Sequence, residues 1–353
     1  MLIGALSKPG DLVFDPFCGS GTVLVEARLQ GRPAQGSDAN PLSVMLAQLK
    51  CRDTTPRQRS LWLQSAESVA AAAEERRQRR AGPTRRYGQN DRELFAPHVL
   101  LELDGLRAGV EALEDADAKS VLLLVLSSIL VKLSQQKSDT TRVAKAAPKR
   151  FASGFAIRLF LERTQELMEQ MAAFRSRLGA RPSPYRVWEG DARQMRGAKT
   201  GSVSLLVSSP PYPGVYDYYS HHELRLRWLR CSARRFERTE IGAKRVMSDP
   251  TRSGARLWED DLGRVLQSTR RVLSPAGLAC FVLADSAVGG VAFRVEEYLP
   301  RLAQRCGLEV VNLASQARPL FHHASERWFR ARPRREHLVA LRPAARAPVV
   351  ARS

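Results

Sequence analysis

Two short stretches hold the residue types best suited to gripping a small molecule and presenting a second one to it. DPFCGSGT (15–22) sets Gly19 and Gly21 between an apolar run ending at Asp15 and a helical spacing that begins near Thr22. Glycine lets the backbone pass close to a ligand, and the first turn of a helix leaves N–H groups unpaired. SSPPY (208–212) ends another apolar run on Ser208 and Ser209, then adds Pro210, Pro211 and Tyr212. The prolines restrict φ and hold the residues before them extended, so nearby carbonyls stay out of any helix and can face a ligand. A planar base with an exocyclic amine suits these groups: Ser209 and the Pro210 carbonyl accept its two N–H hydrogens while Tyr212 stacks on the ring. Extruding a base from a duplex costs a few kcal/mol and one base–aromatic stack returns roughly 1–3 kcal/mol, so the tyrosine alone does not hold the base out. The plainer alternative is a proline-ended strand with a surface aromatic.

The elements that must position these stretches follow from hydrophobic spacing. LVFD (12–15) reads as a buried strand, TVLVEARLQG (22–31) as a helix ended by Gly31, and PAQGSD (33–38) as a second strand ending at Asp38. That carboxylate stands where an acid in a nucleotide-binding α/β fold meets a ribose; alternatively it caps the helix beginning near Pro41. YRVWEGD (185–191) and SVSLLVSS (202–209) resume the rhythm, and Asp191 reaches the same edge of the sheet, either toward an adenine amino group or as another helix cap. A P-loop is excluded because GxxxxGK[ST] is missing, and a GxGxxG dinucleotide turn because position 24 is leucine.

LACFVLAD (278–285), LEVVNLA (308–314) and EHLVALR (336–342) bring the strand candidates to seven, the last two spaced to form an antiparallel edge on an otherwise parallel sheet. Helices are expected at 221–230 and 258–273. Between the two α/β portions, residues 52–184 suit long helices at 61–80, 92–115, 119–134 and 154–178. Basic breaks interrupt them, with Arg76, Arg77, Arg79, Arg80, Arg85 and Arg86 at one and Arg142, Lys145, Lys149 and Arg150 at another. Such breaks either touch phosphates or are solvated loops. LSQQKSD (133–139) offers groups suited to base edges, or belongs to a scaffold. The arginines at 318, 327, 330 and 332, with His322 and His323, form a second candidate backbone-contact patch.

The 353 residues carry 56 Lys and Arg against 36 Asp and Glu, a formal charge of +20 that favours a polyanionic partner, although arginine enrichment from a GC-rich genome gives the same sign. The five cysteines are odd in number and without CxxC pairing, so neither a disulfide framework nor a zinc site is expected, and a reducing cytoplasm fits. His221 and His222 lack a third spaced ligand, and no metal is expected. MLIGALSKPGD has no leader pattern, and the apolar run at 121–131 is too short to span a membrane.

Together DPFCGSGT, SDANP (37–41), EGDAR and SPPY resemble the motifs of the amino-methylating DNA methyltransferases, S-adenosylmethionine enzymes that modify cytosine N4 or adenine N6. The likeness spans residues 10–50 and 185–342. It implies a Rossmann-like α/β methyltransferase fold with a seven-stranded, mostly parallel sheet and a helical insertion: residues 1–51 and 185–342 form the methyltransferase domain, 52–184 the insertion and possible target-recognition region, and 343–353 a tail. By resemblance Asp15, Phe17, Gly19 and Gly21, with Thr22 beside them, shape the pocket for the methionine end of the cofactor, Asp38 binds the ribose hydroxyls and Asp191 lies near the adenine. Ser209, Pro210, Pro211 and Tyr212 match the catalytic tetrad.

A tetrad beginning with serine favours N4-methylcytosine in site-specific, restriction–modification-type methylation of double-stranded DNA by base flipping. The alternatives are adenine N6, an RNA base amine, or an inactive nucleic-acid-binding protein. The amine attacks the sulfonium methyl directly, with positioning and polarisation as the main contributions and no covalent enzyme intermediate. Cytosine-C5 chemistry needs a thiolate, typically after proline, and no cysteine here follows proline; Cys18 is expected to pack. The resemblance also leads one to expect a further cofactor segment before the first strand or after the last, where only nine residues precede Gly10.

Overall fold

A computed structural model describes residues 2–136, 149–248, 253–318 and 327–345. The chain divides into two compact units, one of Met1–Cys51, Gly179–Tyr219 and Ala233–Ser353, the other of Arg52–Leu178 and Ser220–Ser232. The first unit begins with α1 (Leu2–Leu6), β1 (Val13–Asp15), α2 (Thr22–Leu29), β2 (Ala34–Asp38) and α3 (Pro41–Lys50). The chain leaves it for α4 (Pro56–Gln78), α5 (Gln89–Leu94), α6 (Pro97–Ala112), α7 (Ala116–Leu133) and α8 (Phe155–Arg177). There follow β3 (Tyr185–Glu189), β4 (Val203–Ser208), α9 (Tyr218–Trp228), α10 (Arg234–Thr239), α11 (Lys244–Met247) and α12 (Gly254–Val272). The chain closes with β5 (Leu273–Ala284), β6 (Ser286–Val288), β7 (Val291–Phe293), α13 (Val295–Arg305), β8 (Leu308–Ala317) and β9 (Arg335–Pro343).

In the first unit all seven expected strands join one sheet in the order β3-β2-β1-β4-β5-β9-β8. The pairs from β3 to β5 are parallel, and β9 runs antiparallel to both β5 and β8. This is the Rossmann-like methyltransferase fold. The strand order reverses between β1 and β4, the place where open α/β sheets bind ligands beyond their carboxyl ends. Central strands buried on both faces explain the continuous apolar runs. Phe14, Leu206, Phe281 and Val339 pack into one core, whereas Val13, Leu205, Val207 and Cys280 pack into another.

Several elements were not foreseen. The β6–β7 hairpin turns on Gly289 and Gly290, both with positive φ, in the paired left-handed geometry that matches strand twist. The helices α1, α10, α11 and α13 were also unassigned. The helix expected at 92–115 is two, because Pro97 holds Ala96 extended and starts α6 afresh.

The second unit is a helical body built around Ala66, Leu103, Leu122 and Phe160, and it includes Leu224 and Trp228 from Ser220–Ser232. Residues 179–184 belong to the first unit rather than to the insertion. Close packing of α4 on α6 relies on Gly109, where an added Cβ would stand 3.0 Å from Val69 Cγ1. The buried Glu102 accepts the Gly154 and Ala156 N–H groups, satisfying orphan donors at the start of α8.

Candidate active site

The glycine loop is laid across the end of β2 by its own backbone. Cys18 N–H donates to Ser37 O at 3.0 Å, and Gly19 N–H donates to Asp38 Oδ2 at 2.9 Å. Gly19 has φ 49° and Gly21 φ 87°, the left-handed region open to glycine. At Gly21 a side chain would also collide with α3, its Cβ 2.9 Å from Ala47 Cα and Cβ; above Gly19 the space is open to 4 Å. Gly36 serves the same end from β2, since a Cβ there would meet Leu24 at 2.7 Å and keep α2 from settling on the sheet. Thr22 is the first residue of α2, and half-buried Phe17 packs against the core beneath the loop. Cys18 is buried, and burial raises its thiol pKa, so it packs as expected rather than reacting.

Two carboxylates stand at this edge. Asp38 accepts from Gly19 N and, through Oδ1, from Asn40 N at 2.9 Å. It does not cap α3: Asn40 does, accepting Leu42 N–H at 3.0 Å with Pro41 as the first helical residue. Each Asp38 oxygen therefore keeps lone-pair capacity for a further donor, a pattern suited to a pair of hydroxyls. Asp15 Oδ1 accepts from Phe17 N at 3.0 Å and from Ser208 Oγ at 2.6 Å, leaving Oδ2 without a hydrogen-bond donor among the described residues. Burial pushes Asp15 up to about 7 and Asp38 up to about 6, with repulsion from Asp38 adding at Asp15. Lys50 Nζ donates to Ser20 Oγ at 2.9 Å on the outer side of the loop.

The bond from Ser208 to Asp15 joins the ends of β4 and β1, so the SPPY turn begins directly beside the glycine loop. Ser209 is exposed, its Oγ 3.4 Å from Val282 O, while Pro210 is buried and Pro211 half-buried. The chain beyond is pinned by Gly214 N–H to Gly242 O and Lys244 N–H to Tyr216 O. Tyr212 is half-buried, and its hydroxyl donates to Glu336 Oε1 at 2.9 Å; Arg318 donates to Glu336 Oε2 at 3.1 Å. Burial first, then the Glu336 bond, push the Tyr212 phenol up to about 12. The Tyr216 and Tyr218 rings meet at 5.5 Å, tilted to each other. Burial raises Tyr218 to about 12, and the nearby Tyr216, Tyr212 and Asp38 add to the shift. Tyr218 thus lies near Asp38, whereas Tyr219 meets Phe236 edge-on.

Asp191 lies just beyond β3, but both its oxygens are engaged by Arg193, whose Nη2 is 2.8 Å away and which also holds Asp261. No helix follows it, so the capping alternative becomes a tight turn closed on Arg193. Gln135 and Lys149 are bonded to each other, and Lys149 Nζ reaches Ser134 O at 2.8 Å, so neither offers its polar groups to a base edge or phosphate. Lys137, Ser138, Asp139, Arg142, Lys145, His322 and His323 lie outside the described residues. Of the first basic break, Arg77, Arg79 and Arg85 are paired with Glu74, Glu75 and Glu111. Arg332 is paired with Glu296, and Arg327 lies over Trp328. Among the described residues no group of three His, Cys, Asp or Glu side chains could hold a metal, and no helix is long and apolar enough to cross a membrane. Sequence reasoning missed Ser208, Lys50 and Glu336; Ser208 alone had a local signal, its place beside Ser209 at a strand end.

A family described as DNA methylase, of the N6 and N4 methyltransferases, matches residues 1–48. No curated protein matches the chain. A TehB-like S-adenosylmethionine-dependent methyltransferase from Corynebacterium glutamicum is 12% identical over 97% of this chain and 85% of its own, with a TM-score of 0.34. A putative DNA modification methylase from Thermus thermophilus is 22% identical with a TM-score of 0.28; the match covers 46% of this chain and 54% of that one. TrmN from Thermus thermophilus is 10% identical over 96% of this chain and 45% of its own, with a TM-score of 0.35. The strand order and the two loops at its point of reversal, rather than these distant likenesses, define the site.

Proposed function

We propose that the protein is an S-adenosylmethionine-dependent methyltransferase that methylates an exocyclic base amine in nucleic acid, with cytosine N4 in double-stranded DNA as the acceptor. The observation that carries this reading is the Ser208–Asp15 bond, which sets a loop with open glycine backbone and free carboxylate lone pairs beside a proline-fixed acceptor turn. Asp38 would hold the ribose hydroxyls, and Asp15, Phe17, Gly19, Gly21 and Thr22 would border the methionine end, where a cation would offset the burial cost that raises the Asp15 and Asp38 pKa values. Asp191 would act toward the adenine only through the face that Arg193 leaves open. When bound, the cofactor supplies an electrophilic methyl on a sulfonium centre. Ser209 Oγ and the Pro210 carbonyl accept the amine hydrogens and orient the nitrogen lone pair, and Tyr212 stacks on the base while Glu336 fixes the tilt of its ring. The carbon–nitrogen bond would form as the methyl–sulfur bond breaks to leave a neutral thioether, and the amine proton would be lost late to solvent or a nearby acceptor; the protein's contribution is position and polarisation, with no covalent intermediate.

The same acceptor set accommodates adenine N6 or an RNA base amine, and the product distinguishes them. Incubation with labelled S-adenosylmethionine and DNA or RNA, digestion and mass identification of the nucleoside is expected to give N4-methylcytosine from DNA, reduced at least a hundredfold by Ser209→Ala or Tyr212→Ala. Label confined to RNA would move the reading to the RNA acceptor. Undiminished transfer in both variants would refute the proposed site.

A further inference from the structure

Beyond the carboxyl end of β5 the first unit carries a hairpin that the proposed reaction leaves unused. β5 ends at Ala284, and β6 and β7 follow after Asp285 alone. Because β4 and β5 are parallel, the hairpin and the proline turn leave the same edge of the sheet, where Ser209 Oγ lies 3.4 Å from Val282 O. They also meet beyond it: a Cβ on Gly214, just past Tyr212, would stand 3.5 Å from Ala287 O on β6.

The hairpin is braced at its base and bare at its tip. Asp285 accepts Val295 N–H at 3.0 Å across its foot, and Phe293 stacks on Tyr298 at 4.3 Å. Val288 is buried against the start of α12, where a Cβ on Gly254 would meet its Cγ1 at 2.9 Å. Gly289 and Gly290 make a turn with no side chains, and Gly290 lies beside the Trp328 ring, 3.5 Å from where its Cβ would be. Val291, opposite Val288, is 58% exposed, more than any other large apolar side chain among the described residues. Cations stand next to this tip. Arg327 is exposed with its guanidinium 4.5 Å over the Trp328 ring, Arg330 is exposed, and neither has a carboxylate partner among the described residues.

A base drawn out of a duplex leaves a gap in the stack and two unstacked neighbours, which an apolar side chain inserted between base steps covers. A thin, rigid, apolar tip with free guanidinium groups beside it, next to the turn that takes the base, has the shape and charge for that gap. We infer that the β6–β7 hairpin is a wedge: Val291 enters double-stranded DNA where the acceptor base has left, and Arg327 and Arg330 hold the flanking phosphates. The inference rests on the proposed function for the acceptor being a base in a duplex. It supplies what the acceptor turn alone lacks, because Tyr212 stabilises the base outside the stack while Val291 stabilises the stack without it.

The test uses the full chain and fluorescein-labelled double-stranded DNA of mixed sequence, either intact or carrying one abasic site, with anisotropy followed across a salt series. The abasic duplex already holds the gap, so the parent protein is expected to bind it roughly fivefold more tightly than the intact one. Val291→Ser keeps every charge and is expected to bring that ratio to within about twofold of unity, with Val291→Leu restoring it. Residue 291 is exposed, so urea unfolding of both variants is expected to match the parent. Arg327→Gln/Arg330→Gln is expected to weaken both duplexes alike and to make the slope of log affinity against log salt shallower by about 1.8, from about 0.9 per phosphate contact. A parent protein with no preference for the abasic duplex, or a preference retained in Val291→Ser, would overturn the inference. So would a dimer in sedimentation that Val291→Ser disperses, since the tip would then be covered by a second copy of the chain. Labelled methyl transfer separates the two readings: transfer into DNA without a Val291-dependent abasic preference defeats this inference alone, and that preference without transfer defeats the proposed function alone.

Discussion

Asp15→Asn should stabilise the protein increasingly as pH rises. Asp15 is 4% exposed, and burial lifts its carboxyl to about 7 from an ordinary value of 3.8. A raised carboxyl pKa means that the folded chain holds the proton more tightly than the unfolded chain. Its stabilising contribution is therefore complete below about 3.8 and is lost as pH rises through 7. Between pH 5 and pH 8 the unfolded group is already ionised while the folded one gives up its proton near 7. About two pH units of linkage act in that window, roughly 3 kcal/mol at about 1.36 kcal/mol per unit. Asparagine keeps the Oδ1 acceptor used by Ser208 and Phe17 and carries no charge at any pH. Urea unfolding of both proteins at pH 5 and pH 8 is expected to show the stability gap in favour of the substituted protein widening by roughly 3 kcal/mol. Asp285, whose pKa is lowered chiefly by its bond with His337 against the cost of burial, acts in the opposite sense, losing its contribution as pH falls below the ordinary carboxylate range; it lies outside the window and is common to both proteins. Parallel pH profiles, or a variant less stable than the parent at pH 8, would refute the claim that Asp15 is a carboxylate held at a cost to the fold. The same logic gives a functional counterpart. Affinity for S-adenosylmethionine should rise from pH 6 to pH 8 as Asp15 and Asp38 ionise, more steeply than for S-adenosylhomocysteine, which lacks the sulfonium charge.

Gly21→Ala forces an L residue to φ 87° with its Cβ 2.9 Å from Ala47, and is expected to lower stability by about 1–3 kcal/mol and to weaken cofactor binding in calorimetry. Glu336→Ala removes the acceptor of the Tyr212 hydroxyl. The phenol should titrate below about 12 by ultraviolet absorbance and kcat should fall more than KM rises, with Glu336→Gln restoring most of the rate; a rate unaffected by Glu336→Ala would show that the tyrosine needs no anchor. Glu102→Ala leaves the Gly154 and Ala156 N–H groups buried without acceptors and should cost about 2–5 kcal/mol in chemical denaturation, in the second unit. Asn40→Ala removes the cap of α3 and should cost about 1 kcal/mol by the same measurement, a loss that Asn40→Asp would largely avoid because the carboxylate still accepts the Leu42 N–H.

What was legible in the sequence was what local spacing determines. The central strands of the main sheet, β1, β4 and β5, were marked by apolar runs that prove largely buried, and the strand ends put Asp15, Asp38 and Ser209 where a ligand would meet them. Gly31 and Pro41 punctuated the elements for reasons confined to a few residues, although the cap before Pro41 is Asn40 and not Asp38. The β6–β7 hairpin escaped notice because SAVGGVAF is only weakly apolar and its signal rests on two glycines. The division of 92–115 was visible in Pro97 and was overridden by the strength of the surrounding helical pattern. The engagement of Asp191 with Arg193 was within local reach too, for the two residues are a single step apart across Ala192.

The remaining features depend on pairs distant in sequence, and there residue type alone is ambiguous. Ser208 reads as one more strand-end serine until β4 is placed beside β1, when its hydroxyl proves to be 2.6 Å from Asp15, 193 residues earlier. Glu336 reads as the polar first position of an edge strand until β9 inserts between β5 and β8, which brings its carboxylate to Tyr212. Both bonds exist because the sheet order departs from chain order. Together they make the site a single mechanical object: the cofactor loop holds Asp15, Asp15 holds Ser208, Ser208 leads into the proline turn, and β9 holds the tyrosine at its end. A change in the ionisation of Asp15 therefore acts on the turn that presents the acceptor as well as on the pocket beside it, because the same Oδ1 atom serves both.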